Sequence, residues 1–204
     1  MSINLSNIAV LTGDIVKSSR LSRDERDALF AGLKSGAVAI ETLQDHRPHF
    51  ERFSGDSWQM LVPPRLALRA CLLMRAFIRQ ESKAFETRIS VGVGAIEPLS
   101  PEGLGASDGP AFQASGRGLK ALKGAQYFSI NTPNQSIFTL ADEISKAWTQ
   151  AQARVVAISL MLPHPTQETV AGRVGISQQS VRNHLVAAGE PALLTVLGDL
   201  ENSP

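Results

Sequence analysis

Ile8-Ala9-Val10-Leu11-Thr12-Gly13-Asp14 and, further along, Phe53-Ser54-Gly55-Asp56-Ser57-Trp58 are two short apolar runs that each close on a Gly-Asp pair. Each reads as a buried strand whose carboxylate emerges at a strand end or hairpin, beside a glycine that lets backbone come close to a ligand. One Gly-Asp pair is an ordinary turn dipeptide. Two of them on neighbouring strands would bring Asp14 and Asp56 together, and a pair of carboxylates can hold a divalent cation against phosphate. A shared ion needs oxygens of both groups within about 2–2.5 Å of one point.

Working outward, Ser22-Arg23-Asp24-Glu25-Arg26 has the capping serine and acidic first turn of a helix start, and Leu29, Leu33, Ala37, Ile40 and Leu43 recur at helical spacing. Residues 50–62 read as two strands joined around Gly55-Asp56, and Pro63-Pro64 opens a second helix over 65–80. The run 87–96 alternates β-branched residues with Ser and Gly, a strand surface that suits close approach by a ligand or by another backbone. After a loop to Pro110, a helix over 111–123 ends at Gly124, and a strand over 127–131 follows. The order β, α, β, β, α, β, α, β predicts an α+β fold: an antiparallel sheet covered by helices on one face, the ferredoxin-like palm arrangement.

From Pro133 the strand signals stop and short amphipathic helices take over. This divides the chain into a palm domain over 1–132 and a small all-α domain over 133–204. Ala151, Val155, Val156, Ile158, Leu160 and Leu162 form one helical pattern, broken at Pro163-His164-Pro165. Thr166 to Leu185 then matches a helix-turn-helix, with Thr166 and Ser177 as caps, Gly175 at the turn, and Ile176, Val181 and Leu185 in the core between the helices. Gln178, Gln179, Arg182 and Asn183 face outward from its second helix, where Gln and Arg suit purine edges in the DNA major groove. Charge argues the other way: from Thr149 on, three arginines face four carboxylates, so phosphate attraction from a single copy is weak.

The chain has 204 residues with a formal charge of +1, so no whole-molecule field favours a polyanion. The single cysteine, Cys71, lies in an apolar run and reads as a buried packing residue in a reducing compartment. Neither a signal core nor an apolar stretch long enough for a membrane span is visible, which predicts a cytoplasmic protein without a membrane partner. His46, His49, His164 and His184 read as surface residues.

The strand ending in Asp14-Ile15, the Gly55-Asp56 hairpin, the Gly-punctuated strand 88–96 and the segment Asp108 to Arg117 together resemble the palm-type catalytic domain of class III nucleotidyl cyclases and the GGDEF diguanylate cyclases. With the C-terminal helix-turn-helix added, the chain is similar to the SatD family. The resemblance implies that Asp14 and Asp56 bind Mg²⁺ or Mn²⁺, with the Ile15 carbonyl as a further ligand. The backbone from Ile15 to Ser18, with the Lys17 and Ser18 side chains, would cradle phosphate. Arg52, four residues before Asp56, would read a purine nucleotide; Gln113 stands in the place of a ribose-orienting asparagine and Arg117 in that of the arginine that stabilises the transferred phosphoryl group. A homodimer is implied as well.

There are departures from those families. Ala106 falls where cyclases carry a second purine-reading carboxylate, and the hairpin reads Gly-Asp-Ser-Trp rather than Gly-Gly-Asp-Glu-Phe. The expected function is a regulator whose palm binds a nucleotide with Mg²⁺ and whose helix-turn-helix binds DNA or a partner. Two alternatives stand beside it: an active nucleotidyl cyclase making a cyclic nucleotide or oligonucleotide, and a transcriptional regulator whose palm is only a dimerisation scaffold.

Overall fold

The structure, a computed structural model, describes residues 5–41 and 50–202; Leu43, His46 and His49 lie outside the described residues. The elements are β1 (Ile8–Ile15), α1 (Arg23–Glu41), β2 (Phe50–Ser54), β3 (Ser57–Val62), α2 (Ala67–Arg79), β4 (Thr87–Gly94), α3 (Pro110–Ala121), β5 (Phe128–Ile130), α4 (Gln135–Lys146), α5 (Gln150–Ser159), α6 (Gln167–Val174), α7 (Gln178–Ala187) and α8 (Glu190–Asn202). The sheet order is β2-β3-β1-β4-β5. Its first four strands are antiparallel neighbours in the ferredoxin-like order, as the sequence predicts, while β5 adds to β4 in parallel.

Period-two alternation along β1 sends side chains to two different layers. Ala9, Leu11 and Ile15 join the core built with α1 and α2, whereas Ile8 and Val10 join a second core with Ala111 and Phe112 of α3. The expectation of helices on one face is corrected here, because α3 covers the other. Its seat on β4 is close: a Cβ at Gly92 would lie 2.0 Å from the Ala111 carbonyl oxygen, and one at Gly118 would lie 2.2 Å from Ser90 Oγ. Thr12 Oγ1 and Ser115 Oγ meet at 2.8 Å in the same layer. The small residues of the 87–96 strand therefore admit another backbone.

Ser22 caps α1 through a reciprocal box: its hydroxyl accepts the Glu25 N–H at 3.2 Å and its own N–H donates to the Glu25 carboxylate at 2.8 Å. Helix α2 is different in kind, being buried at every position from Ala67 to Arg79. Its outer face is covered by the C-terminal helices, and residues of α5, α6, α7 and α8 belong to the same continuous core as the sheet. The helices after Pro133 thus share a hydrophobic interior with the palm.

Three arginines of α2 are buried with it. Arg75 donates from Nε to Glu86 at 3.0 Å and from Nη2 to Asp142 at 2.8 Å, with its guanidinium 4.0 Å from the centre of the Phe128 ring. Arg79 donates to Glu86 at 2.5 Å and to the carbonyls of Lys146 and Trp148. Arg69 forms a two-point pair with Glu201 at 2.6 and 2.9 Å and donates to the Leu160 carbonyl at 2.8 Å. Asp142 also accepts the backbone N–H groups of Tyr127 and Phe128, which fixes the start of β5. Cys71 is buried in the same helix, and burial pushes its thiol well above the usual range, so it is an inert packing residue.

Removing one member leaves an uncompensated buried charge. Asp142→Ala is expected to lower the unfolding free energy by about 3–5 kcal/mol in urea denaturation. Asp27→Ala, which breaks the exposed 3.9 Å pair with Arg23, should change it by less than about 1 kcal/mol.

Candidate functional site

Gly13 is required by Trp58, its cross-strand partner: a Cβ there would lie 2.3 Å from the indole ring. The backbone at this glycine is thus approached by a buried tryptophan rather than by a ligand, which corrects the sequence reading of this position. Trp58 Nε1 donates to Thr87 Oγ1 at 3.0 Å, and Thr87 Oγ1 donates to the Asp14 carbonyl at 2.8 Å, which pins the strand end that carries the carboxylate. Gly55 has φ 47° and opens the two-residue hairpin turn that presents Asp56.

The hairpin turn and the end of β1 are tied together. The Ile15 N–H donates to the Asp56 carbonyl at 3.1 Å, and Ser18 Oγ donates to Asp56 Oδ2 at 2.6 Å. Asp14 is half-buried, and its Oδ1 is a buried oxygen with no hydrogen-bond partner. Burial raises the Asp14 pKa above the usual carboxylate value; Arg88 opposes the shift and the Asp56 charge adds to it. Arg88 is the partner of Asp14 across the β1–β4 pair, and its Nε is likewise buried without a partner.

A desolvated, unpartnered carboxylate oxygen that feels a second carboxylate is a donor set short of positive charge, and it fits a hard divalent cation. Asp14 and Asp56 would hold such an ion. No group of three or more His, Cys, Asp or Glu side chains suited to a metal occurs among the described residues, so backbone, solvent or ligand oxygens would complete the coordination.

The backbone cradle is narrower than the sequence suggests. The Ile15 N–H is spent on Asp56, and the Val16 N–H donates to the Glu86 carbonyl at 3.0 Å, which leaves only the Lys17 and Ser18 N–H groups for a phosphate. The Ser18 hydroxyl is already engaged with Asp56. Lys17 sits in the left-handed region, at φ 56°. Arg52 is exposed, donates to the Gly55 carbonyl at 2.8 Å, and lies 3.9 Å over the Phe30 ring of α1. It pairs in register with Trp58, which places it on the sheet face opposite Asp14.

Gln113 and Arg117 are both exposed on α3, one turn apart, with Gln113 donating to Asp108 at 3.3 Å. Ala106 lies in the loop before α3, at the end of a 3-10 turn. Within one chain, then, hydrogen bonds and the field of Asp56 join Asp14, Ile15, Ser18 and Asp56, Arg52 reaches the same hairpin through the Gly55 carbonyl, and Gln113 and Arg117 make no hydrogen bond or ion pair with the two aspartates among the described residues. Sequence reading missed Arg88, Thr87 and Trp58 as supports of the aspartates. Strand register makes them neighbours, and register is not visible in composition.

No family model and no curated protein matches the chain. Solved structures do show similarity. One is the catalytic core of a rhodopsin-guanylyl cyclase with converted specificity in complex with ATPalphaS, at 18% identity and TM-score 0.45 over 58% of this chain and 74% of that one. The guanylyl cyclase Cya2 follows at 18% and 0.45, over 67% and 78%, and the adenylyl cyclase CyaB from P. aeruginosa at 15% and 0.43, over 65% and 80%. The strand order, rather than these overlaps, defines the fold.

In the C-terminal helices, Thr166 Oγ1 caps α6 by accepting the Thr169 N–H at 3.2 Å, Gly175 takes φ 77° at the turn, and Ser177 caps α7 by accepting the Ser180 N–H at 3.1 Å. Gln178, Gln179, Arg182 and Asn183 are all exposed, and the last three line a shallow groove of about 410 Å³ with Val186 and Ala187. His164 is exposed and its Nδ1 donates to the Ser159 carbonyl at 2.7 Å, whereas His184 is half-buried. Among the described residues no helix is long and apolar enough to cross a membrane.

The sign of the Asp14 shift gives a test. A carboxyl pKa raised by folding penalises the ionised form, so stability is lost as pH rises above the ordinary carboxylate range and the loss persists at neutral pH. Asp14→Asn is expected to raise the melting temperature at pH 7 and to change it little at acid pH, as read in thermal melts across that range. Mg²⁺ should raise the melting temperature of the unsubstituted protein and leave that of Asp14→Asn unmoved.

Proposed function

We propose that this protein is a nucleotide-responsive regulator whose palm binds a purine nucleotide together with Mg²⁺ or Mn²⁺ at Asp14 and Asp56. The observation that carries this reading is the buried, unpartnered Asp14 Oδ1 in the field of Asp56. A bound cation would neutralise triphosphate charge and, by drawing on phosphate oxygens, make the phosphorus more electrophilic. The chain's own residues do the rest: Asp14 and Asp56 hold the ion, Ser18 orients Asp56, and the Lys17 and Ser18 N–H groups face phosphate at the turn.

Arg52 stands on the sheet face opposite Asp14, Gln113 and Arg117 make no hydrogen bond or ion pair with either aspartate among the described residues, and all three are exposed. A homodimer that sets these residues of one copy against the carboxylates of the other would supply base recognition and, through Arg117, charge stabilisation. The dimer is the one implied by the sequence resemblance, and it makes cyclase activity the principal rival to a purely sensing role.

Calorimetric titration of ATP and GTP with Mg²⁺, followed by product analysis, separates the readings. Saturable binding that weakens at least about tenfold in Asp14→Ala and in Asp56→Ala is expected. A cyclic product lost in both variants would make the protein an enzyme. Failure of either nucleotide to bind at millimolar concentration would reduce the palm to a scaffold.

A DNA-reading role for α7 is favoured by one observation: its capped start leaves Gln178, Gln179, Arg182 and Asn183 exposed, the last three along one groove. If Arg182 contacts a base edge, Arg182→Ala should weaken specific binding by about 1–3 kcal/mol in shift assays. Absence of any shift at low salt would remove DNA as the partner.

A further inference from the structure

On the side of the Val16–Lys17 turn that meets α2 and α4 lies a groove of about 280 Å³ lined by Val16, Lys17, Arg79, Lys83, Glu86, Tyr127 and Lys146, with Ala84 and Ala125 leaving room between them. Four cationic side chains thus meet one carboxylate. That carboxylate, Glu86, is already held by both Arg75 and Arg79, so it does not neutralise the lysines. Lys146 pairs with the exposed Glu143, while Lys17 and Lys83 have no ion-pair partner among the described residues.

Two further observations point to an anionic occupant. Arg79 is only 6% exposed, and its Nε is a buried donor with no partner, whereas Nη1 donates to the Lys146 and Trp148 carbonyls and Nη2 to Glu86. Lys17, which lines the groove, is the one described non-glycine residue with positive φ, a left-handed conformation that side-chain-bearing residues rarely adopt.

We propose that this groove is a binding site for a small phosphate-containing polyanion, separate from the Asp14–Asp56 pair. Its volume is slightly below that of sites for drug-sized ligands and suits a diphosphate or the phosphate tail of a nucleotide. Four lining cations match a ligand with several charges, since lysine ammoniums act as point charges that bind phosphate without a fixed geometry. The lining comes from the turn after β1, the end of α2 and the segment that joins it to β4, the residues before β5 and the end of α4. Its occupant would therefore bridge the palm and the C-terminal helices. The site needs no divalent cation and stands apart from the nucleotide reading above.

The test is isothermal titration of the full chain with inorganic pyrophosphate at low ionic strength and with EDTA present, so that the carboxylate pair holds no metal. Saturable one-to-one binding is expected, weakened about tenfold in Lys83→Gln and in Lys146→Gln and about a hundredfold in the double variant. Lys83→Glu should weaken it more than Lys83→Gln, and Asp56→Asn should leave it unchanged, with circular dichroism confirming that each variant is folded. Metal-free ATP titrated in parallel distinguishes a free diphosphate from a nucleotide tail, and either supports the site if the lysine variants weaken it. No saturable binding of either probe, binding indifferent to the lysine substitutions, or binding lost in Asp56→Asn would overturn the proposal.

Discussion

The structure depends on the Glu86 carboxylate, which holds Arg75 and Arg79 together in the interior while Asp142 balances the second charge. Two cations and two anions in low dielectric attract strongly, yet each was desolvated to get there, so the net gain over an apolar core is small. What the arrangement enforces is uniqueness. Apolar contacts tolerate sliding, whereas these charges are satisfied only when α2, the start of β4, the entry to β5 and the end of α4 meet in one geometry. The main chain of Glu86 also accepts the Val16 N–H, so the residue that organises the interior lies one hydrogen bond from the turn after Asp14.

The same economy of position appears at the aspartates. Trp58 fills the space above Gly13 and reaches Thr87, and Thr87 reaches the Asp14 carbonyl, so the carboxylate stands on a braced strand end. On the other face, Gly92 and Gly118 let α3 settle onto β4 at backbone contact, which fixes where the exposed Gln113 and Arg117 emerge. A rigid base with one electrostatically unsatisfied oxygen is the kind of place where local energetics are sacrificed for binding.

Much of the fold was legible because the local signals agreed. The Ser22 box, the hairpin at Gly55, the proline after Val62 and the glycine at position 175 each act over a few residues, and the structure places a boundary at each. The strand order followed from the alternation of strand pairs with helices. What was not legible is long-range. The arginines of α2 look like the polar side of an amphipathic helix, and only partners as distant as Asp142 and Glu201 turn them into an interior network. Likewise Gly13 and Gly92 signal a close approach without saying by what. The site followed the same rule: that Asp14 and Asp56 end neighbouring strand segments could be read locally, whereas the sheet face taken by Arg52 depended on register.

The pair between Arg69 and Glu201 has a consequence for how the chain is made. Arg69 belongs to the central helix of the palm, yet its carboxylate partner is more than a hundred residues downstream. During vectorial synthesis the sheet and its helices emerge first, and although Glu86 meets Arg75 and Arg79 soon after α2 is made, Arg75 waits for Asp142 of α4 and Arg69 for Glu201 of α8. The palm is therefore assembled early and closed late. Between those two moments the growing polypeptide presents an open, arginine-studded apolar surface, which makes the interval before α8 arrives the one in which nascent chains are most exposed to misassembly or to chaperone capture.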